Sequence, residues 1–152
     1  MKPLRIAFLF LFAWLISSCS KCKDIACFSP PASFRCKVLN TKNENISSKT
    51  PYSLRYTSKG VAKTIDLRLV TPNTGEAFLS TDEIGWLSAG NEKITNYILL
   101  SGESQIGTLT YVNQHLDDDC CSFYKTSQIL FNSTSVLENL DADYCYLLII
   151  KP

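Results

Sequence analysis

From Ser33 onward the apolar and polar residues follow mostly a period of two, and no stretch sustains the 3.6-residue period of a long helix. Phe34, Cys36 and Val38 alternate with Arg35 and Lys37. Tyr52, Leu54 and Tyr56 do the same with Ser53, Arg55 and Thr57, and Ile65, Leu67 and Leu69 with Asp66 and Arg68. Lys59-Gly60 suits a turn between the second and third of these runs. Residues 94–100 and 105–112 flank Ser101-Gly102-Glu103-Ser104, a hairpin-length loop. Residues 123–131 and 144–150 complete the set, with a fainter run at 76–79. Helical turns fit only after Ser80-Thr81-Asp82-Glu83 and over 135–140, both too short to cross between parallel strands. The pattern predicts an all-β domain over 33–152, an antiparallel immunoglobulin-like β-sandwich of about 7–8 strands.

The first residues read differently. Lys2 and Arg5 precede an unbroken apolar run of eleven residues, Ile6 to Ile16, and then Ser17, Ser18 and Cys19. Eleven residues make about 16 Å of helix, roughly half the hydrocarbon thickness of a bilayer, so the run suits an export signal better than a membrane span. Leu15-Ile16-Ser17-Ser18-Cys19 resembles a bacterial lipobox, in which the cysteine is lipidated and becomes the new N-terminus. A plain secretory cut after Ser18 or Ser20 is the alternative. The expected organisation is a cleaved signal over 1–18, a lipidated tether over 19–32 that ends in Pro30-Pro31, and the domain from 33.

Processing removes two of the 15 basic residues and none of the 14 acidic ones, leaving 13 − 14 = −1. Such a balance does not neutralise phosphates, so nucleic acid is excluded as a partner class. Attraction to anionic lipid is not expected either; the lipid on Cys19 supplies the membrane attachment. Beyond Cys19 six cysteines remain, an even number in an exported chain, which reads as a disulfide framework rather than a zinc site. First and last strands of immunoglobulin-like sandwiches commonly lie side by side, so a Cys36–Cys145 bridge is expected to clamp them. On the chain-entropy account, closing that loop of about 110 residues stabilises by roughly 4–5 kcal/mol. Cys27–Cys121 and Cys22–Cys120 are expected to staple the tether to the acidic loop, the swapped pairing remaining open.

The densest polar cluster is His115-Leu116-Asp117-Asp118-Asp119-Cys120-Cys121. His115, Asp117 and Asp119 are metal-ligand candidates, but the spacing lacks the alternating acids, glycine and distant glutamate of a calcium loop. A solvated loop between strands is the favoured reading, and neither metal nor cofactor is expected. Ser122–Lys125 and Ser20–Lys23 match S-x-x-K without the helix or companion elements which that chemistry needs. No catalytic residue is assigned, and the chain reads as a non-enzyme. Trp86, the one tryptophan left after processing, could stack on a sugar or a protein partner; its neighbours Ile84 and Leu87 favour burial at the end of the core.

The lipobox, Cys27-Phe28-Ser29-Pro30-Pro31, the strand Phe34–Asn40 and the Asp119-Cys120-Cys121 loop resemble small lipoproteins of the Bacteroidetes. That resemblance implies an envelope location, a β-sandwich and a binding or structural role with an unknown protein or glycan partner. The alternatives are a carbohydrate-binding lipoprotein and a hydrolase with a site near His115 and Asp117–Asp119. Ser20-Lys21-Cys22-Lys23-Asp24 lacks the acidic stretch that resembles a surface-export signal. The outer membrane, with the domain facing the periplasm, is therefore the expected address.

Overall fold

The computed structural model describes residues 28–118 and 121–150. Within them the chain is all-β apart from one short helix. In order come β1 (Phe28–Ser29), β2 (Phe34–Leu39), β3 (Tyr52–Ser58), β4 (Val61–Val70), β5 (Phe78–Thr81), α1 (Glu83–Ala89), β6 (Asn96–Ser101), β7 (Ser104–Asp118), β8 (Cys121–Phe131), β9 (Thr134–Ser135) and β10 (Tyr146–Ile149). The local signals hold at the tight turns. Lys59 and Gly60 both take positive φ between β3 and β4, and Gly102 does so between β6 and β7. The helical turn expected over 135–140 is instead a single reverse turn, with Asn139 N donating to the Val136 carbonyl at 3.0 Å.

The sheet is not the antiparallel sandwich expected from the alternation. Its path is β1-β8-β7-β6-β3-β4-β5-β2-β10, with β9 on β8, and it curls into a mixed half-barrel. Two pairs are parallel, β10 with β2 and β1 with β8. Parallel pairing needs a long connection, but not a helical one. Here the connection between the paired strands is most of the sheet itself. β4 turns the corner: Val61–Leu67 pair with β3, and Arg68–Val70 pair with β5. The curl brings the two halves onto one core, which contains Phe34, Val38, Leu79 and Leu148 from one half and Leu54, Leu99, Leu109 and Ile129 from the other. The Phe34 ring meets that of Tyr111 edge-on, centroids 5.6 Å apart, although β2 and β7 are far apart along the sheet.

First and last strands of the domain do lie together, but the clamp expected between them is not formed. The register sets Cys36 opposite Tyr146. Cys145 stands one residue ahead of β10, its Sγ 3.7 Å from the Asp143 carbonyl oxygen. Both thiols are free and fully buried, and no disulfide joins two described residues. Cys22, Cys27 and Cys120 lie outside the described residues, and Cys121 is not a free thiol. Burial pushes the Cys36 thiol up, with Cys145 adding to the effect. Burial, reinforced by Asp141 and Asp143, raises Cys145 to about 11. At neutral pH the thiolate fraction of Cys145 is then about one in ten thousand. Iodoacetamide should label neither cysteine in the native protein and both in denaturant. Rapid native labelling of either would contradict this placement.

Beside the parallel ladder, an ion cluster ties β2 to the turn that leads into β10. The Lys37 side chain, only 6% exposed, sets its Nζ 2.7 Å from Asp141, 2.9 Å from Asp143 and 3.4 Å from Glu76. Asp141 also accepts the backbone N–H groups of Asp143 and Cys145, both at 2.9 Å, which shapes the turn into β10.

Candidate functional site

β7 and β8 form a hairpin that outruns its neighbour: β6 pairs with β7 only as far as Thr110, while β7 continues to Asp118. A bulge decides which side chains this arm presents. Val112 pairs with Gln128 and Asn113 with Thr126, leaving Ser127 as the extra residue, its Oγ donating to the Val112 carbonyl at 3.3 Å. One extra residue switches the facing parity of everything beyond it. On the core side of the bulge Ile129 and Phe131 face inward; past it Thr126, Tyr124 and Ser122 share the face of Asn113, His115 and Asp117.

α1 is fastened across the base of this arm. Ile84 is its fully buried anchor. Asn113 N donates to Ser88 Oγ at 3.2 Å, Ser88 Oγ donates to the Gly85 carbonyl at 3.1 Å, and Thr126 Oγ1 donates to Asn113 Oδ1 at 2.8 Å. Gly85 permits a close approach, because a Cβ there would lie 2.7 Å from the Cβ of Pro31. Gly85→Ala should therefore destabilise by about 1–3 kcal/mol despite alanine's better helix propensity. Denaturant titration checks this, and a stabilised variant would refute the contact.

With α1 so placed, Trp86 points away from the core. It is 45% exposed, which corrects the expectation of burial. The reason is local: Ile84, Gly85 and Ser88 take the inward face of a helix too short to bury two faces. Around Trp86 three other rings gather. Phe28, 58% exposed, stacks on it at 6.2 Å and 21°. Tyr124 meets Trp86 at 5.5 Å and 66°, and meets Phe28 edge-on at 6.2 Å and 87°. His115 lies 4.9 Å from the Tyr124 ring. Phe28 arrives through β1, whose parallel pairing sets it opposite Ser122. Strand pairing thus begins inside the segment read as tether.

His115 and Asp117 lie in β7 and not in the solvated loop expected of this segment, because the hairpin pairing runs on to Asp118; their side chains meet, Nε2 to Oδ1 at 3.6 Å, on an exposed surface. Ser122 Oγ donates to the same Asp117 oxygen at 2.7 Å. The order is hydroxyl–carboxylate–imidazole, so the imidazole that would have to deprotonate the hydroxyl is not its partner. Among the described residues no group of three or more His, Cys, Asp or Glu is arranged to hold a metal ion; Asp119 lies outside them. Beside His115 a groove of about 420 Å³ runs along Ser88, Lys93, Thr95 and Asn113. A larger open groove of about 590 Å³ crosses β3 and β6, lined by Arg55, Thr57, Asn96 and Thr110.

Cys19, the expected lipid site, lies outside the described residues. Phe28 and Tyr124 went unread in the sequence. Phe28 has no periodic neighbours to place it, and the parity switch that sets Tyr124 on the face of His115 has no signature in the alternation. Family models, curated proteins and solved structures gave no match to the chain.

Proposed function

We propose that this chain is a lipid-anchored protein of the bacterial envelope that acts by binding, with the rings of Phe28, Trp86 and Tyr124 as its contact surface. The cluster carries the reading: two exposed large rings in mutual contact, held by a helix that is pinned to the sheet. Single exposed apolar residues need no explanation, whereas a fixed group of them marks a place of contact. Anchoring rests on the lipobox at Cys19, and the outer membrane, periplasm-facing, is the proposed address. A non-catalytic role agrees with a Ser122 hydroxyl committed to Asp117. A glycan is the competing partner, favoured by the groove that reaches His115 past the polar side chains of Lys93 and Thr95.

Cys19→Ser should abolish sedimentation with membranes. Trp86→Ala should keep both membrane attachment and far-ultraviolet dichroism while losing the contact that wild type makes in intact envelopes. A hydrolytic activity lost in both His115→Ala and Ser122→Ala would overturn the binding role. Proteinase added to intact cells should leave the domain whole; rapid loss would place it outside.

A further inference from the structure

The aromatic cluster sits where the tether ends. Phe28, its most exposed ring, is the first described residue. Nine chain steps separate it from Cys19, at most about 30 Å of extended backbone. Pro31, three residues on, packs against Gly85 of the helix that carries Trp86. The end of the tether and the ring cluster are therefore one rigid unit. Any acyl chain on Cys19 that enters a bilayer keeps this unit within a domain's width of the lipid surface.

We infer that Phe28, Trp86 and Tyr124 form a membrane-seating surface, inserting at the headgroup–acyl boundary of the bilayer that the Cys19 lipid enters. This rests on the anchored reading above and names the partner of the same rings. Three observations favour lipid over a sugar or a protein. The set is phenylalanine, tryptophan and tyrosine, and the last two are side chains with an apolar body and a polar tip, which partition to membrane interfaces. The rings also occupy one another: Phe28 and Trp86 stack, and Tyr124 is turned edge-on to Phe28. That engages one face of each of the Phe28 and Trp86 rings, so a sugar would have only the outer faces to stack on. The patch is small as well. Rings of this kind bury about 150–250 Å² each, so two half-exposed ones offer on the order of 200 Å², against about 800 Å² per partner in a stable protein interface. Tethering lets so small a contact count, because docking becomes intramolecular. The contact is apolar rather than electrostatic: Asp117 stands exposed beside the rings and the mature chain carries a charge of −1.

The sequence supplies the probe, since Trp86 is the one tryptophan of the processed chain. The processed, acylated protein beginning at Cys19 is reconstituted into phosphatidylcholine vesicles containing lipid brominated near the glycerol end of its acyl chains. Trp86 emission should be quenched by the bromolipid, shielded from aqueous iodide, and unchanged by high salt. Phe28→Ser with Tyr124→Ser should reduce the docked fraction roughly tenfold, restoring iodide access, with the dichroism spectrum unaltered. Acylated wild type whose Trp86 stays open to iodide and unquenched by lipid would overturn the inference and leave the anchored reading intact. Mass spectrometry showing Cys19 without acyl chains would remove both together. Emission that responds to soluble envelope polysaccharide and not to vesicles would assign the rings to a glycan instead.

Discussion

Lys37→Ala should destabilise the domain by about 2–3 kcal/mol, because it strips the buried cation from the largely buried Asp141 and leaves three carboxylates facing each other, although water screens the more exposed Asp143 and Glu76. Asp141, Asp143 and Glu76 all lie within 3.4 Å of the Lys37 ammonium. Lys37→Met should lose nearly as much, since restoring the apolar stem does nothing for the three acids. Burial pushes the Asp141 carboxyl up, but the Lys37 ammonium and the N–H groups of Cys145 and Asp143 outweigh it and hold the group below its ordinary 3.8. A depressed folded-state value contributes stability that is present above pH 3.8 and lost as pH falls through the folded value. Wild type should therefore lose this contribution below about pH 4, and the gap between it and Lys37→Ala should narrow there. Urea titrations at pH 7 and at about pH 2, well below the unfolded carboxyl value, measure both. A gap that is constant with pH would mean the lysine acts by packing alone.

Phe34→Ala should cost more, about 3–5 kcal/mol, and lower the melting midpoint by roughly 10–20 °C. Phe34 is 1% exposed, and its ring holds the curl of the sheet shut. It touches Tyr111 of the opposite half edge-on and stacks on Tyr146 of β10 at 5.8 Å. Removing it opens a cavity where the two halves meet, and neither strand can slide to fill it without breaking register. Val61→Ala, at a position 59% exposed on β4, serves as the control and should stay within about 0.5 kcal/mol of wild type. Calorimetry separates the two. A Phe34→Ala loss below about 1 kcal/mol would mean that the halves do not share a core.

Those two residues show how far alternation carries. Phe34, Cys36 and Val38 were legible as the inner face of a strand, and all three are buried. Lys37, on the outer parity, is buried too, because β2 lies between β5 and β10 and acids from two loops close over it. Period two specifies a face, not the identity of the neighbour across the ladder. Parallel or antiparallel pairing, and whether two sheets stack or one curls, are set by long-range contacts that leave no local mark. Cys36 and Cys145 illustrate the consequence: the neighbouring strands were inferred from their positions, but a one-residue offset in register separates adjacency from a bond. The candidate site was legible in pieces. Trp86 and the His115–Asp117 pair could be picked out, whereas their union with Phe28 and Tyr124 depends on the Ser127 bulge and on the parallel addition of β1.

Hydroxyl-radical footprinting tests the ring cluster as contact surface whatever its partner. The lipidated chain in native membranes is compared with the same chain begun at Ser20 in solution. Tyr144, 77% exposed and outside the cluster, serves as the internal reference. Oxidation of Phe28, Trp86 and Tyr124 should fall severalfold in the membrane while that of Tyr144 holds. Equal oxidation of the three rings in both states, or protection that appears at Tyr144 instead, would contradict the account.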